Sequence, residues 1–254
     1  MRGLEKVEIT RINGSEQHRI EDIIATEKKL RILINGDEIL KLYCSPVMIR
    51  ELVVGFMMTE GIIEGSWCAE RMSIEYNDEV VVDIPSEGKV NLEGGTITSG
   101  CVGGITFERS KEEGIITGGP VITPAKLKEL FRKFQKASQL YNQTGCIHSA
   151  AISDGRRLLV LAEDIGRHNA VDKAVGFCLL EDIPLDDKII LVSGRLSSEM
   201  AEKCSRWSIP IVVSRTAPTS RAIDIARKRG ITMVGFMRGE RFNIYTFPER
   251  VAED

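Results

Sequence analysis

Apolar positions in this 254-residue chain keep a strand-like period in its first third and alternate between two periods in its second half. Residues 6–12 (KVEITRI) alternate apolar and polar side chains, which predicts a strand. Residues 29–44 (KLRILINGDEILKLYC) hold two apolar runs around Asn35-Gly36, a pair suited to a tight hairpin turn. After Pro46, MIRELVVGFMMTEG is apolar over well more than half its circumference, with Gly61 placed to end it. That pattern predicts a buried helix in which Met57 and Met58 fill the core. Residues 71–84 predict a further pair of strands around Asn77-Asp78.

The second half opens at Thr123-Pro124, a hydroxyl N-cap followed by proline at the first helical position. One helix is expected over 125–141, with Leu127, Leu130, Phe131, Phe134 and Leu140 on one side and Gly145 beyond its end. Residues 147–153 and 157–164 predict a hairpin around Asp154-Gly155. Helices at 168–181, 197–207 and 219–230 then alternate with strands at 188–193, 210–214 and 231–237. Such alternation implies right-handed crossovers and a largely parallel sheet with helices on its faces. The expected organisation is an N-terminal β-rich α+β domain over 1–93, a Gly-rich mobile loop over 94–122, and an α/β domain over 123–254.

The loop carries the most distinctive chemistry. Eight of the 26 residues in 94–119 are glycine, against 23 in the whole chain, and each glycine loses the most backbone entropy on ordering. Cys101 sits in its centre, in GGTITSGCVGG. A thiolate on such a segment is a candidate nucleophile that could hold and carry a sulfur atom; the alternative is an incidental surface cysteine. The other five cysteines, Cys44, Cys68, Cys146, Cys178 and Cys204, lack pairing spacings, which predicts free thiols and a cytoplasmic setting. Thirty-four basic against 37 acidic residues give a net charge of −3, which argues against a nucleic-acid or anionic-membrane partner. No apolar run approaches the ~20 residues of a membrane helix.

Ligands of open α/β sheets bind where strands lead into helices. Three such loops each carry an arginine: Arg167 in EDIGRHN, Arg195 in VSGRLSS and Arg215 in VSRTAPTS. With Ser197, Ser198, Thr219 and Ser220 at the helix starts, they predict a cationic, hydroxyl-rich rim for phosphate or pyrophosphate, and so a nucleotide-like ligand. Structural pairing with Asp164, Glu199 or Asp224 is the alternative. FMRGERFNIY (236–245) adds Arg238, Gly239 and Arg241 beside Phe236 and Phe242, a second candidate that could equally be a solvated turn. Cys146 and His148 invite a zinc reading, but two positions apart on a strand they diverge and no further ligand has metal spacing, so no metal site is expected.

Several strings in order, ELVVGFMMTEGII, TSGCVGG, TGCIHSAAI, EDIGRHNAVDKAVG, LVSGRLSSEM, SRTAPTSRAI and GFMRGERFNIYT, resemble the formate dehydrogenase accessory family FdhD over about residues 20–247. The resemblance implies a sulfurtransferase acting as a sulfur carrier: a cysteine desulfurase loads Cys101 with a persulfide, and the sulfur passes to the molybdenum (or tungsten) bis-guanine-dinucleotide cofactor of formate dehydrogenase. It implies a homodimer, a three-layer cytidine-deaminase-like C-terminal domain with a mixed sheet and helices on both faces, and cofactor binding (GDP as its analogue) by Phe236, Met237, Arg238, Gly239, Glu240 and Arg241. The arginine rim of Arg167, Arg195 and Arg215 suits the pyrophosphates of that ligand. One departure stands out. The family often carries Cys-x-x-Cys in the loop, where this chain reads Cys101-Val102-Gly103-Gly104. Deaminase chemistry is not expected, because His148-Ser149-Ala150 lacks the glutamate of His-x-Glu and Arg195-Leu196-Ser197-Ser198 lacks the cysteine pair.

Overall fold

A computed structural model describes residues 3–64, 69–90, 95–97, 105–107 and 114–253. The chain opens with β1 (Leu4–Asn13) and β2 (Glu16–Ala25), paired in register from Leu4↔Ala25 to Asn13↔Glu16. β3 (Lys28–Ile34) and β4 (Asp37–Cys44) form the expected hairpin, with Asn35 (φ 52) and Gly36 (φ 85) both left-handed as its turn requires. α1 (Ile49–Glu60) follows and stops at Gly61, whose left-handed backbone donates to the Met57 carbonyl. After β5 (Ile63–Glu64), β6 (Ser73–Tyr76) and β7 (Val80–Ile84) complete a sheet of order β4-β3-β7-β6. Period-two alternation buries Leu30, Ile32, Ile34, Val80, Val82 and Ile84 against Leu52, Val53, Phe56 and Met57 of α1.

β8 (Lys89–Val90) pairs with β5. β9 (Gly95–Ile97) pairs antiparallel with β10 (Ile105–Phe107), a short stem that the glycine density of this segment argued against. Cys101 belongs to residues 98–104 between the two strands and lies outside the described residues, as does Cys68.

The second half contains α2 (Pro124–Ala137), α3 (Gln139–Thr144), β11 (His148–Ser153), β12 (Leu158–Asp164), α4 (Arg167–Leu180), β13 (Ile189–Val192), α5 (Ser198–Arg206), β14 (Ile211–Ser214), α6 (Ser220–Arg229), β15 (Thr232–Arg238) and β16 (Arg241–Thr246). Its six-stranded sheet has the order β12-β11-β13-β14-β15-β16. Side chains alternate across it. Ala150, Ile152, Val192, Val212 and Met233 pack under α4, α5 and α6, while Ala151, Leu191, Val213 and Val234 pack on Leu127, Leu130, Phe131 and Phe134 of α2. Helices therefore cover both faces.

Three expectations change. In the six-stranded sheet only β13/β14 and β14/β15 are parallel, because the β11/β12 hairpin joins β13 antiparallel and the unforeseen β16 folds back on β15. The single helix over 125–141 is broken at Ser138, whose hydroxyl donates to the Phe134 carbonyl at 3.2 Å. The Glu163 carboxylate then accepts from the amides of Leu140 (3.1 Å) and Tyr141 (3.0 Å), starting α3 in a new direction. Finally, part of the 94–122 segment is tied to the end of α6 and to the chain after β16: the Ile116 amide donates to the Arg229 carbonyl, and the Arg250 guanidinium donates to the carbonyls of Ile116 and Gly118, both at 3.0 Å.

The two halves meet through α1 and α4 at backbone contact. A Cβ on Gly55 would sit 1.9 Å from the Asp172 carbonyl oxygen, and one on Gly176 would sit 1.9 Å from that of Glu51. Beside this crossing, the buried Lys203 ammonium of α5 donates to Asp172 of α4 (2.8 Å) and to Glu60 of α1 (3.0 Å), joining three helices.

Candidate functional site

Strand direction brings the predicted arginines together. β12 and β13 are each antiparallel to β11, so they run the same way, and β14 and β15 follow β13. The carboxyl ends of all four strands lie on one sheet edge. Arg167 follows β12, Arg195 follows β13, Arg215 follows β14, and Arg238 ends β15. His148 stands at the same edge, opposite Asp164. Burial holds His148 below its ordinary range, with Arg167 and Arg195 reinforcing the effect against the pull of Asp164. Both arginines therefore bear on one imidazole.

Hydroxyls and backbone groups stitch the edge. Ser193 Oγ accepts from the Ser149 amide at 2.9 Å and meets His148 Nδ1 at 3.2 Å. Ser214 Oγ donates to the Gly194 carbonyl at 2.7 Å, and the Leu196 amide donates to the Ala217 carbonyl at 3.2 Å. The Phe236 amide donates to the Thr216 carbonyl at 3.0 Å, and Arg238 Nε donates to the Arg215 carbonyl at 3.2 Å. Gly194 is required here, since a Cβ would meet Arg167 Cβ at 3.0 Å. The loops after β13, β14 and β15 thus form one fixed rim. The helices α4, α5 and α6 begin on it, and Thr219 caps α6 by accepting from the Ala222 amide at 3.3 Å.

The individual side chains divide. Arg195, Arg215, Arg238 and Arg241 are exposed, while Arg167 is buried against the Gly194 loop. Arg238 and Arg241 are directly opposite in the β15/β16 ladder, where two like charges repel unless an anion lies between them. Arg238 also lies over the Phe236 ring, 5.7 Å from its centroid, and Phe236 adopts φ 52 at a bulge between Gly235 and Arg238. Gly239 (φ 57) makes the turn. Met237 points the other way, 2 % exposed in the core beneath α2, so its side chain is removed from any ligand on the rim. Exposed Glu240 pairs with Lys128 of α2.

Sequence reasoning left His148 and His168 without roles and missed the stitching by Ser193 and Ser214. Asp164, named from sequence only as an alternative partner for the arginines, is fully buried, accepts from the amides of Ser45 (3.0 Å) and Gly166 (2.8 Å) and from Asn169 Nδ2 (2.9 Å), and pairs with Lys173 at 2.6 Å. These bonds fix the start of α4, where Arg167 sits, to the end of β4. The adjacent His168 is pushed down to about 3 by burial and by Lys203 and Arg167, so it is neutral at neutral pH.

Among the described cysteines, burial pushes the thiols of Cys44, Cys178 and Cys204 up to about 12, 11 and 12, which leaves them inert; Cys146 is exposed.

Residues 25–252 match the model of the FdhD/NarQ family. The chain belongs to that family. FdhD/NarQ relatives include the sulfur carrier protein FdhD of Bacillus licheniformis, 38 % identical over 96 % of this chain and 95 % of its own length. The sulfur carrier protein FdhD of Bacillus subtilis is 36 % identical over 97 % of each. The crystal structure of a candidate formate dehydrogenase accessory protein from Desulfotalea psychrophila superposes with a TM-score of 0.78 at 28 % identity, covering 98 % of this chain and all of that one. Among the described residues, no helix is long and apolar enough to cross a membrane.

Proposed function

We propose that this FdhD/NarQ protein is a cytoplasmic sulfur carrier that takes sulfur onto Cys101 and delivers it to a dinucleotide-bearing metal cofactor held on the arginine rim. The observation that carries the reading is the meeting of Arg167, Arg195, Arg215 and Arg238 on one edge, beside three helix starts, in a chain 38 % identical to a named sulfur carrier. Guanidinium forks and helix N-termini suit a pyrophosphate, and the repulsion between Arg238 and Arg241 is relieved by one. A cysteine desulfurase supplies the sulfur, and formate dehydrogenase receives the finished cofactor, of molybdenum or tungsten. GDP serves as the analogue of the bound dinucleotide. The C-terminal sheet is read as cytidine-deaminase-like, and the working unit as a homodimer.

The chemistry balances with one thiol. The Cys101 thiolate attacks the outer sulfur of the desulfurase persulfide; a new S–S bond forms, the donor's S–S bond breaks, and the donor cysteine leaves as its thiolate. The cargo metal, reduced by two electrons, then takes the outer sulfur as sulfide, is itself oxidised by two electrons, and releases Cys101 as thiolate. No second loop cysteine enters either step. Gly104, where the family often has one, favours a second reading, in which the protein delivers the cofactor without handling sulfur.

Mass spectrometry after incubation with a cysteine desulfurase and free cysteine separates the two. A one-sulfur adduct on the Cys101 peptide supports carriage, and its absence supports delivery alone.

A further inference from the structure

The helix on the other face of the C-terminal sheet carries a charge that the rim does not use. α2 holds five basic residues and one acid, Glu129, in 14 positions. Taking these from the chain's 34 bases and 37 acids leaves 29 bases against 36 acids elsewhere, so α2 is a basic element on an otherwise acidic molecule. Its apolar residues Leu127, Leu130, Phe131 and Phe134 pack on the sheet, while Arg132, Lys133 and Lys136 are exposed. Lys128, Arg132 and Lys136 recur every four residues and form one line along the helix. Lys126 (3.0 Å) and Lys133 (2.6 Å) share Glu129, and Lys128 pairs with Glu240. Arg132 and Lys136 make no ion pair among the described residues. Like charges four residues apart repel, so the line works against the helix that bears it, and an acidic partner relieves the repulsion.

This line runs beside the rim. Near its start, α2 meets the turn after β15 through Lys128 and Glu240. At its end the chain passes through Ser138 into α3, where Glu163, the penultimate residue of β12, holds the amides of Leu140 and Tyr141. Both anchors lie at the carboxyl ends of their strands. In the order β12-β11-β13-β14-β15-β16 they stand at opposite flanks of the sheet. Four strand intervals span about 19 Å, and a helix of this length spans about 21 Å, so α2 follows the edge from one flank to the other.

We infer that the outward face of α2 is a docking surface for an acidic patch on the protein that receives the rim's ligand. The inference rests on the rim being the cofactor site. To take that ligand, a recipient must approach the carboxyl ends of β12 to β15, and α2 is the flank that accompanies them. Attraction between the line of cations and an acidic patch speeds encounter and orients the recipient over the rim. A nucleic acid fits less well, because its phosphates extend past one helix onto an acidic surface.

Association of the full chain with cofactor-free formate dehydrogenase, followed by biolayer interferometry, tests it. Arg132→Glu/Lys136→Glu reverses the two cations that make no ion pair, and titration with inorganic pyrophosphate reports on the fold and the rim. We expect association at least about tenfold slower in the double variant, and a parental rate that falls at least about tenfold between about 0.05 M and about 0.5 M salt. Pyrophosphate affinity stays within about threefold of the parent. A double variant that associates at the parental rate, or a parent that binds pyrophosphate but not formate dehydrogenase, overturns the docking surface alone. Tighter binding of a duplex DNA oligonucleotide than of formate dehydrogenase, lost in the same variant, overturns it in favour of a nucleic-acid face. Failure of the parent to bind pyrophosphate overturns the rim reading, and the docking surface with it.

Discussion

The Lys203 ammonium lies 2.8 Å from the Asp172 carboxylate, and both side chains are buried where three helices meet. Glu60 approaches the same ammonium at 3.0 Å, so one positive charge serves two carboxylates. Lys203 stays charged because desolvation is outweighed by these two acids, while burial pushes Asp172 up to about 6. Removing the cation leaves buried acids unpaired. Lys203→Met is therefore expected to cost about 3–5 kcal/mol in urea denaturation, far more than a surface lysine.

The crossing of α1 and α4 gives a second expectation. Gly176 has no room for a methyl group, which would sit 1.9 Å from the Glu51 carbonyl oxygen. Gly176→Ala must push the helices apart and is expected to lower stability by about 1–3 kcal/mol or more. Denaturation midpoints at constant m-value check this.

His168 carries the acid sensitivity of the rim. Its folded pKa lies near 3 against an ordinary 6.5, so the unfolded chain binds the extra proton between those values. Its contribution to stability is complete above pH 6.5 and is lost as pH falls toward 3. From pH 7 to 5 the loss is about 2 kcal/mol. Asp172, raised in the fold, acts in the opposite sense between 3.8 and about 6, so the parent protein shows the difference of the two. Comparing the parent with His168→Asn at pH 7 and pH 5 isolates the histidine: the variant should lose about 2 kcal/mol less on acidification.

The rim predicts a contrast between neighbours in sequence. Arg215→Ala and Arg238→Ala should each weaken pyrophosphate binding by about 1.5–3 kcal/mol, the range of a charge-assisted hydrogen bond. Met237→Leu should leave affinity unchanged, because that side chain lies in the core with Val234 beneath α2. Equilibrium titration of the three variants distinguishes a shared anion site from a turn that merely carries arginines.

Much of this was legible in the sequence. Asn35-Gly36 and Asp154-Gly155 marked hairpins that formed as expected, and the helix–strand alternation after residue 165 placed Arg167, Arg195 and Arg215 in equivalent loops. Their convergence needed the strand order, which local periodicity does not contain. Gly14-Ser15 makes the turn of β1/β2, with Gly14 at φ 62, but β2, with few apolar residues, lacks a strand's alternation and gave no second run to pair. Ser138 looked like one more helical residue, because the carboxylate that restarts the chain at α3 comes from Glu163, distant in sequence. Met237 shared a motif with exposed arginines, and only the bulge at Phe236 decided which way it points.

The central claim is that the sulfur travels on Cys101. The most direct measurement is formate dehydrogenase activity in cells whose own copy of this protein is replaced by the Cys101→Ala variant, with Met237→Leu as a control that keeps the rim intact. Sulfur carriage predicts that Cys101→Ala abolishes the activity while the control retains it; full activity with Cys101→Ala contradicts the account.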